Sequence, residues 1–137
     1  MKHVLFLILS LLLSQISVKA DPISVRELPL LNQLPERGIL SSFRDSEGYL
    51  WYATANGLCR DDGYDITVFH ADADNYINGI SEDTGNRIWL STRKGASYID
   101  KKNYRVVELD SINLGDVPVK NVFTTSDGSI WVNTLGS

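Results

Sequence analysis

Few residues in this 137-residue chain have the types and spacing for chemistry, and most reactions are excluded by what their spacing lacks. There are two histidines, His3 and His70, and one cysteine, Cys59. No His-Cys or His-x-x-His spacing is present to hold a transition metal. His3 lies in an apolar leader, so a Ser-His-Asp triad would have to be built around His70 alone, and no such set can be drawn. Asp72-Ala73-Asp74-Asn75 alternates oxygen ligands but has neither the glycine nor the distal glutamate of a calcium loop. Asp61-Asp62-Gly63 reads as a turn between strands, and no Gly-Lys-Ser/Thr loop is available for phosphate. Cys59 has no internal disulfide partner and reads as a small buried apolar residue. The sequence therefore assigns no catalytic, cofactor-binding or metal residue, expects no cofactor, and leaves any ligand-binding residues unknown. The chain is not expected to be an enzyme.

Charge narrows the partners. Residues 1–20 contain two lysines and no acid, so without them the chain carries 11 bases and 17 acids, a formal charge of −6. Nucleic acid is not expected as a direct partner, because phosphate binding needs a clustered basic surface. The adjacent basic pairs, Arg93-Lys94 and Lys101-Lys102, read as solvated loop charges.

What would position any site is a repeat. Asp45-Ser46-Glu47-Gly48-Tyr49-Leu50-Trp51-Tyr52-Ala53-Thr54 registers without a gap on Asp83-Thr84-Gly85-Asn86-Arg87-Ile88-Trp89-Leu90-Ser91-Thr92. A third copy runs Thr125-Ser126-Asp127-Gly128-Ser129-Ile130-Trp131-Val132-Asn133-Thr134. All three tryptophans occupy one repeat position, 38 and then 42 residues apart. Gly48, Asn86 and Gly128, three residues before each Trp, are types that enter left-handed backbone conformation cheaply, which predicts a tight hairpin turn. Gly57 and Gly95 mark a second turn after the first two copies. Ile39, Ile77 and Val119 stand twelve residues before their Trp, with Phe43, Ile80, Val122 and Phe123 in apolar slots between. These predict entering strands at Ile39–Arg44, Tyr76–Glu82 and Val119–Thr124, and fourth strands at Asp65–His70 and Arg105–Leu109. Four strands in roughly 40 residues is the count for a propeller blade. The three Trp rings are expected in the core of that repeated unit.

The pattern Asp-x-x-Gly-x-Leu-Trp-x-x-Thr-x-x-Gly-Leu, with the following Asp61-Asp62-Gly63-Tyr64, resembles the two-component regulator propeller repeat. The run Leu34-Pro35-Glu36-Arg37-Gly38-Ile39-Leu40 with Phe43-Arg44-Asp45 is similar to the start of such a sensor. The resemblance covers residues 30 to 137, with departures at Ala96, Thr125 and Gly136. It implies an all-β incomplete propeller: two four-stranded blades plus part of a third, after a signal peptide. It also implies the periplasmic sensor region of a hybrid two-component histidine kinase, with phosphorelay signalling and an oligosaccharide ligand. The rest of the sensor kinase would be the partner. Tyr49, Tyr52, Tyr64, Tyr76 and Tyr98 could stack on sugar rings, but packing between blades accounts for most, and none is assigned. The alternatives are an exported lyase or glycosidase propeller, which would need paired acids or a His-Tyr set, and an interaction propeller without a small ligand.

The expected organisation is a signal peptide at 1–20, a lead-in at 21–36, and repeats at about 37–72, 73–112 and 113–137, the last incomplete. Val4–Leu13 is apolar, Val18-Lys19-Ala20 suits signal peptidase, and the apolar run is short for a hydrocarbon core of roughly 30 Å. No membrane span is expected after cleavage, and the location is expected to be periplasmic. Val25–Leu28 could add an outer strand. Propellers close with four to eight blades, so the chain reads as the amino-terminal piece of a larger protein.

Overall fold

The computed structural model describes residues 30–71, 74–109 and 117–134. The leader, Val25–Leu28 and Gly136 lie outside those residues. Ten strands form three antiparallel sheets. The first holds β1 (Ile39–Arg44), β2 (Leu50–Thr54), β3 (Gly57–Asp61) and β4 (Ile66–Phe69) in that spatial order. The second repeats it with β5 (Ile77–Glu82), β6 (Arg87–Thr92), β7 (Gly95–Asp100) and β8 (Arg105–Glu108). The third is a hairpin of β9 (Val119–Thr124) and β10 (Ile130–Thr134). This is the all-β, incomplete-propeller arrangement that the repeat implies.

The entering strands at 39–44 and 119–124 fall where the sequence places them, while Tyr76 precedes β5. The fourth strands are shorter than expected: Asp65, His70 and Leu109 lie outside β4 and β8. Asp65 is held in the β3–β4 turn instead, its N–H donating to Asp62 Oδ1 at 2.8 Å.

The turns explain the repeat residue by residue. Gly48, Asn86 and Gly128 have φ of 96°, 62° and 86°, the left-handed conformation each hairpin requires. All three hairpins close with the same pair of backbone bonds: Asp45 to Tyr49 and Gly48 to Asp45, then Asp83 with Arg87 and Asn86, then Thr125 with Ser129 and Gly128. The recurring threonine works at the opposite end of the sheet. Thr54 Oγ1 donates to the Gly57 carbonyl at 2.8 Å, and Thr92 Oγ1 does the same to Gly95 at 3.0 Å. Each hydroxyl also accepts an N–H from inside its turn, from Asn56 or Lys94. Both threonines are buried, so satisfying the hydroxyl avoids the cost of an unpaired buried polar group. An irregular register recurs where Ile39 pairs with Thr54, Ile77 with Thr92 and Val119 with Thr134.

Inner strands β1, β5 and β9 stand side by side, and the main core lies between the first two sheets. Trp51, Ala53 and Leu58 of the first face Ile77, Ile88, Leu90 and Ile99 of the second, all buried. Truncating a buried ring of this size costs about 3–5 kcal/mol. The expectation that all three Trp rings are core residues is corrected for the third. Trp51 is fully buried and Trp89 is 5 % exposed, but Trp131 is 63 % exposed. Within the described residues β10 has no third strand beside it and no further sheet over its Trp face. Phe123, cross-strand from Trp131, is likewise 50 % exposed.

Candidate functional site

The densest polar constellation sits where the hairpin turns of the first two sheets meet. Asp45 closes its turn twice: Oδ1 accepts the N–H groups of Glu47 and Tyr49, while Oδ2 accepts the Trp51 indole N–H at 2.9 Å. Asp83 repeats this with Gly85, Arg87 and the Trp89 indole, the last at 2.7 Å. One carboxylate thus shapes the turn and fixes the ring six residues on. Thr125, at the same position of the third copy, has no carboxylate to offer, and its hydroxyl bonds to Asp127 and the Ser129 carbonyl. The loss of the acid coincides with the exposed third Trp.

Lys101, in the turn after β7, reaches from the second sheet into the turn of the first. Its Nζ lies 2.6 Å from Glu82 Oε1, 3.3 Å from Glu47 Oε1 and 3.4 Å from Asp45 Oδ2. Its side chain is 3 % exposed, and that of Asp45 is fully buried. The expectation of a solvated charge is corrected at Lys101: a buried ammonium needs partners, and three carboxylates supply them. Glu82 also accepts the Ser46 N–H at 2.7 Å and the Ser46 hydroxyl at 2.8 Å, so it clamps the same turn from β5.

Burial pushes the Asp45 carboxyl up, but the Trp51 and Tyr49 bonds and the Lys101 charge outweigh it and hold it below the usual range. Burial likewise opposes the Asp83 charge, and the Trp89 and Arg87 bonds overcome it. For Lys101, burial lowers the ammonium's pKa and Glu82 and Asp45 raise it further, for a net rise. The contacts that hold Asp45 and Lys101 in their charged forms include the bridge between the two sheets, so the cluster is built as a tie between them.

The remaining sequence candidates are dispersed. Arg60 is stacked between Tyr49, at 4.9 Å, and Tyr104, at 4.5 Å. Tyr52 is buried, its hydroxyl 3.3 Å from Asp61 Oδ2, and burial beside that carboxylate pushes it up to about 12. Tyr76 lies under Arg93 and Tyr98 beside Trp89. Packing accounts for these four, and only Tyr64, 90 % exposed in the β3–β4 turn, is free to meet a solute ring. Asp74, from the acidic run, receives Arg93 through its N–H, Nε and Nη2 at 3.0 to 3.2 Å. Its neighbours Asp72 and Ala73 lie outside the described residues. Arg93 is exposed but paired, and Lys94 is exposed. Cys59 is fully buried, as expected, and burial pushes its thiol up to about 11. His70 is exposed just past β4. Among the described residues no group of three or more His, Cys, Asp or Glu could hold a metal ion. No described helix is long and apolar enough to cross a membrane.

Sequence reasoning missed Lys101, Glu82 and the indole-binding role of Asp45 and Asp83. Only the last left a signal, an acid six residues before two of the three tryptophans.

No family model matches the chain, and no curated protein matches it in sequence. Solved structures do. The extracellular domain of the hybrid two component system BT3049 from B. thetaiotaomicron matches with 27 % identity and a TM-score of 0.65, over 79 % of this chain and 16 % of that one. The extracellular domain of BT4673 from the same organism, described as a one component system, gives 21 % identity and a TM-score of 0.62 over 84 % of this chain and 18 % of its own. A second BT4673 structure, described as a hybrid two component system, gives 25 % identity and a TM-score of 0.55 over 70 % of this chain and 15 % of its own. The chain therefore spans less than a fifth of each of these domains. The resemblance read from the repeat is borne out: this chain is similar to the extracellular domains of B. thetaiotaomicron hybrid two-component systems.

Proposed function

We propose that the chain is a segment of an exported, periplasmic sensor propeller, acting in signal transduction ahead of a histidine kinase and not itself catalytic. The carrying observation is the 27 % identity and TM-score of 0.65 to the extracellular domain of BT3049, reached by repeated sheets whose Asp, Trp and Thr positions have structural work in the first two copies. The buried carboxylates Asp45 and Asp83 are engaged in holding turns and indoles, and Glu82 in clamping Lys101 and Ser46, which favours a binding role over the lyase or glycosidase alternative. The ligand class that best fits the resemblance is an oligosaccharide, detected by the intact domain and relayed to a kinase and phosphorelay. An interaction propeller without a small ligand is the competing reading. The test is reporter transcription in a producing strain grown on a panel of polysaccharides, with and without a disruption of this locus. Loss of induction on one polysaccharide is the expected result. Induction unchanged on every polysaccharide overturns the glycan-sensing reading.

A further inference from the structure

The repeat uses one cation–aromatic pairing twice, with the partners exchanged. Arg60 lies directly across from Trp51 and Tyr98 directly across from Trp89, so the two hold one repeat position. Tyr49 and Arg87, each two residues before its Trp, hold another. In both sheets a guanidinium covers a tyrosine ring, Arg60 over Tyr49 at 4.9 Å and Arg87 over Tyr98 at 5.3 Å. The pair in the second sheet is neutralised, because Arg87 Nε lies 2.6 Å from Asp83 Oδ2. The matching acid of the first sheet, Asp45, is taken by Lys101 at 3.4 Å.

Arg60 is thereby left without a carboxylate. It is half-buried, its Nε is buried with no acceptor, and among the described residues it makes no ion pair. The N–H groups of Asp65 and Tyr64, and more weakly the Arg60 charge, hold the exposed Asp62 carboxyl below its usual range, but Asp62 is not bonded to the guanidinium. Burying an unpaired donor is costly, and the position does not require one, since Tyr98 fills it in the second sheet.

A second ring comes from the other sheet. Tyr104, in the turn between β7 and β8, lies 4.5 Å from the Arg60 guanidinium carbon. Its φ of 55° is a conformation that bulky residues rarely adopt and that persists only where the surroundings hold it. Its N–H donates to the Asp100 carbonyl at 2.7 Å, and its ring stacks on Phe69 at 6.0 Å. With a ring on either side, the guanidinium is held in one plane and offers its edge. That edge is a planar fork of donors, which matches the two coplanar oxygens of a carboxylate.

We infer that Arg60, flanked by Tyr49 and Tyr104, binds the carboxylate of an acidic sugar at the junction of the first two sheets. The sugar rests on the glycan-sensing reading; the preference for an anion rests on the guanidinium that no acid neutralises. The tyrosine rings face the guanidinium here, so the site needs no ring stacked on the sugar.

The test titrates the isotope-labelled full chain with digalacturonate, with the same disaccharide after reduction of its carboxyls, and with a sulfated disaccharide. NMR follows the Arg60 Nε–H and the Tyr104 backbone N–H. Digalacturonate should shift both signals saturably, and the reduced disaccharide should shift neither. Arg60→Lys keeps the charge but loses the fork, and should weaken binding by about tenfold or more, the scale of one charge-assisted hydrogen bond. Arg60→Tyr installs the residue type of the second sheet and should abolish binding, which keeps the test open if the lysine variant does not fold. An unshifted Trp51 indole N–H signal reports that each variant retains the fold. Unweakened binding by Arg60→Lys, equal binding of the reduced disaccharide, or no shift with digalacturonate overturns the site. A shift with the sulfated disaccharide alone overturns the choice of carboxylate. Reporter induction on a neutral polysaccharide, with no digalacturonate shift, overturns the site and leaves the sensor reading standing. A digalacturonate shift without induction on any polysaccharide upholds the site and overturns the glycan-sensing reading.

Discussion

At the residue scale, an aspartate joins two requirements that the sequence displays separately. Its carboxylate shapes a tight turn with one oxygen and holds the indole of the next strand with the other. Replacing Asp45 by alanine would leave the buried Trp51 N–H unpaired and strip Lys101 of a partner. Breaking a buried charge pair in this way costs about 3–5 kcal/mol. Asp127→Ala, on the exposed turn of the third sheet, should stay within about 0.5 kcal/mol. Urea unfolding of the two variants checks this, and equal midpoints would contradict the asymmetry. The indole partner could have been suspected from sequence, because Asp45 and Asp83 each precede a Trp by six residues while Thr125 does not. The threonine's part was harder to read. Its periodicity was plain, but only the three-dimensional turn shows its hydroxyl bonding to the glycine carbonyl three residues later.

At the element scale, each sheet is legible from local sequence, because turn glycines, Asn86 and alternating apolar residues lie within a few positions of one another. How sheets dock is not, since the contacts that lock them span 29 to 56 residues. Lys101 looked like half of an ordinary surface pair because nothing near it in sequence announces Asp45 or Glu82. Lys101→Met should therefore lose more stability than a surface lysine, about 3 kcal/mol or more, by leaving the buried Asp45 and the largely buried Glu82 side chain without their cation. The same cluster sets a pH dependence. Asp45, Asp74 and Asp83 have folded pKa values below their unfolded ones, so their contribution is complete above the unfolded value near 4 and is lost as pH falls through the folded values. Lys101 is raised, so its contribution holds below its unfolded value and is lost only as pH rises through the folded one. Unfolding midpoints should be flat between about pH 5 and 9 and drop below about pH 4. In Lys101→Met the acid drop should be shallower, because Asp45 has lost one of the groups that lower it.

At the scale of the molecule, the three described sheets have unlike surroundings. Among the described residues, Leu34 and Gln33 lie on the first sheet's outer face, and nothing covers the third sheet's Trp face. A repeat pattern makes three equal copies visible in sequence but cannot show that their surroundings differ, and for that reason Trp131 reads as core when it is not. One all-β unit is copied, and each Trp is buried only where a neighbouring strand and sheet enclose it. The most direct measurement is hydrogen exchange at the three indole N–H groups, resolved by NMR. Exchange should be slow at Trp51 and Trp89, which are bonded to Asp45 and Asp83, and fast at Trp131. Three indoles exchanging alike, or a protected Trp131 beside an unprotected Trp51, would contradict it.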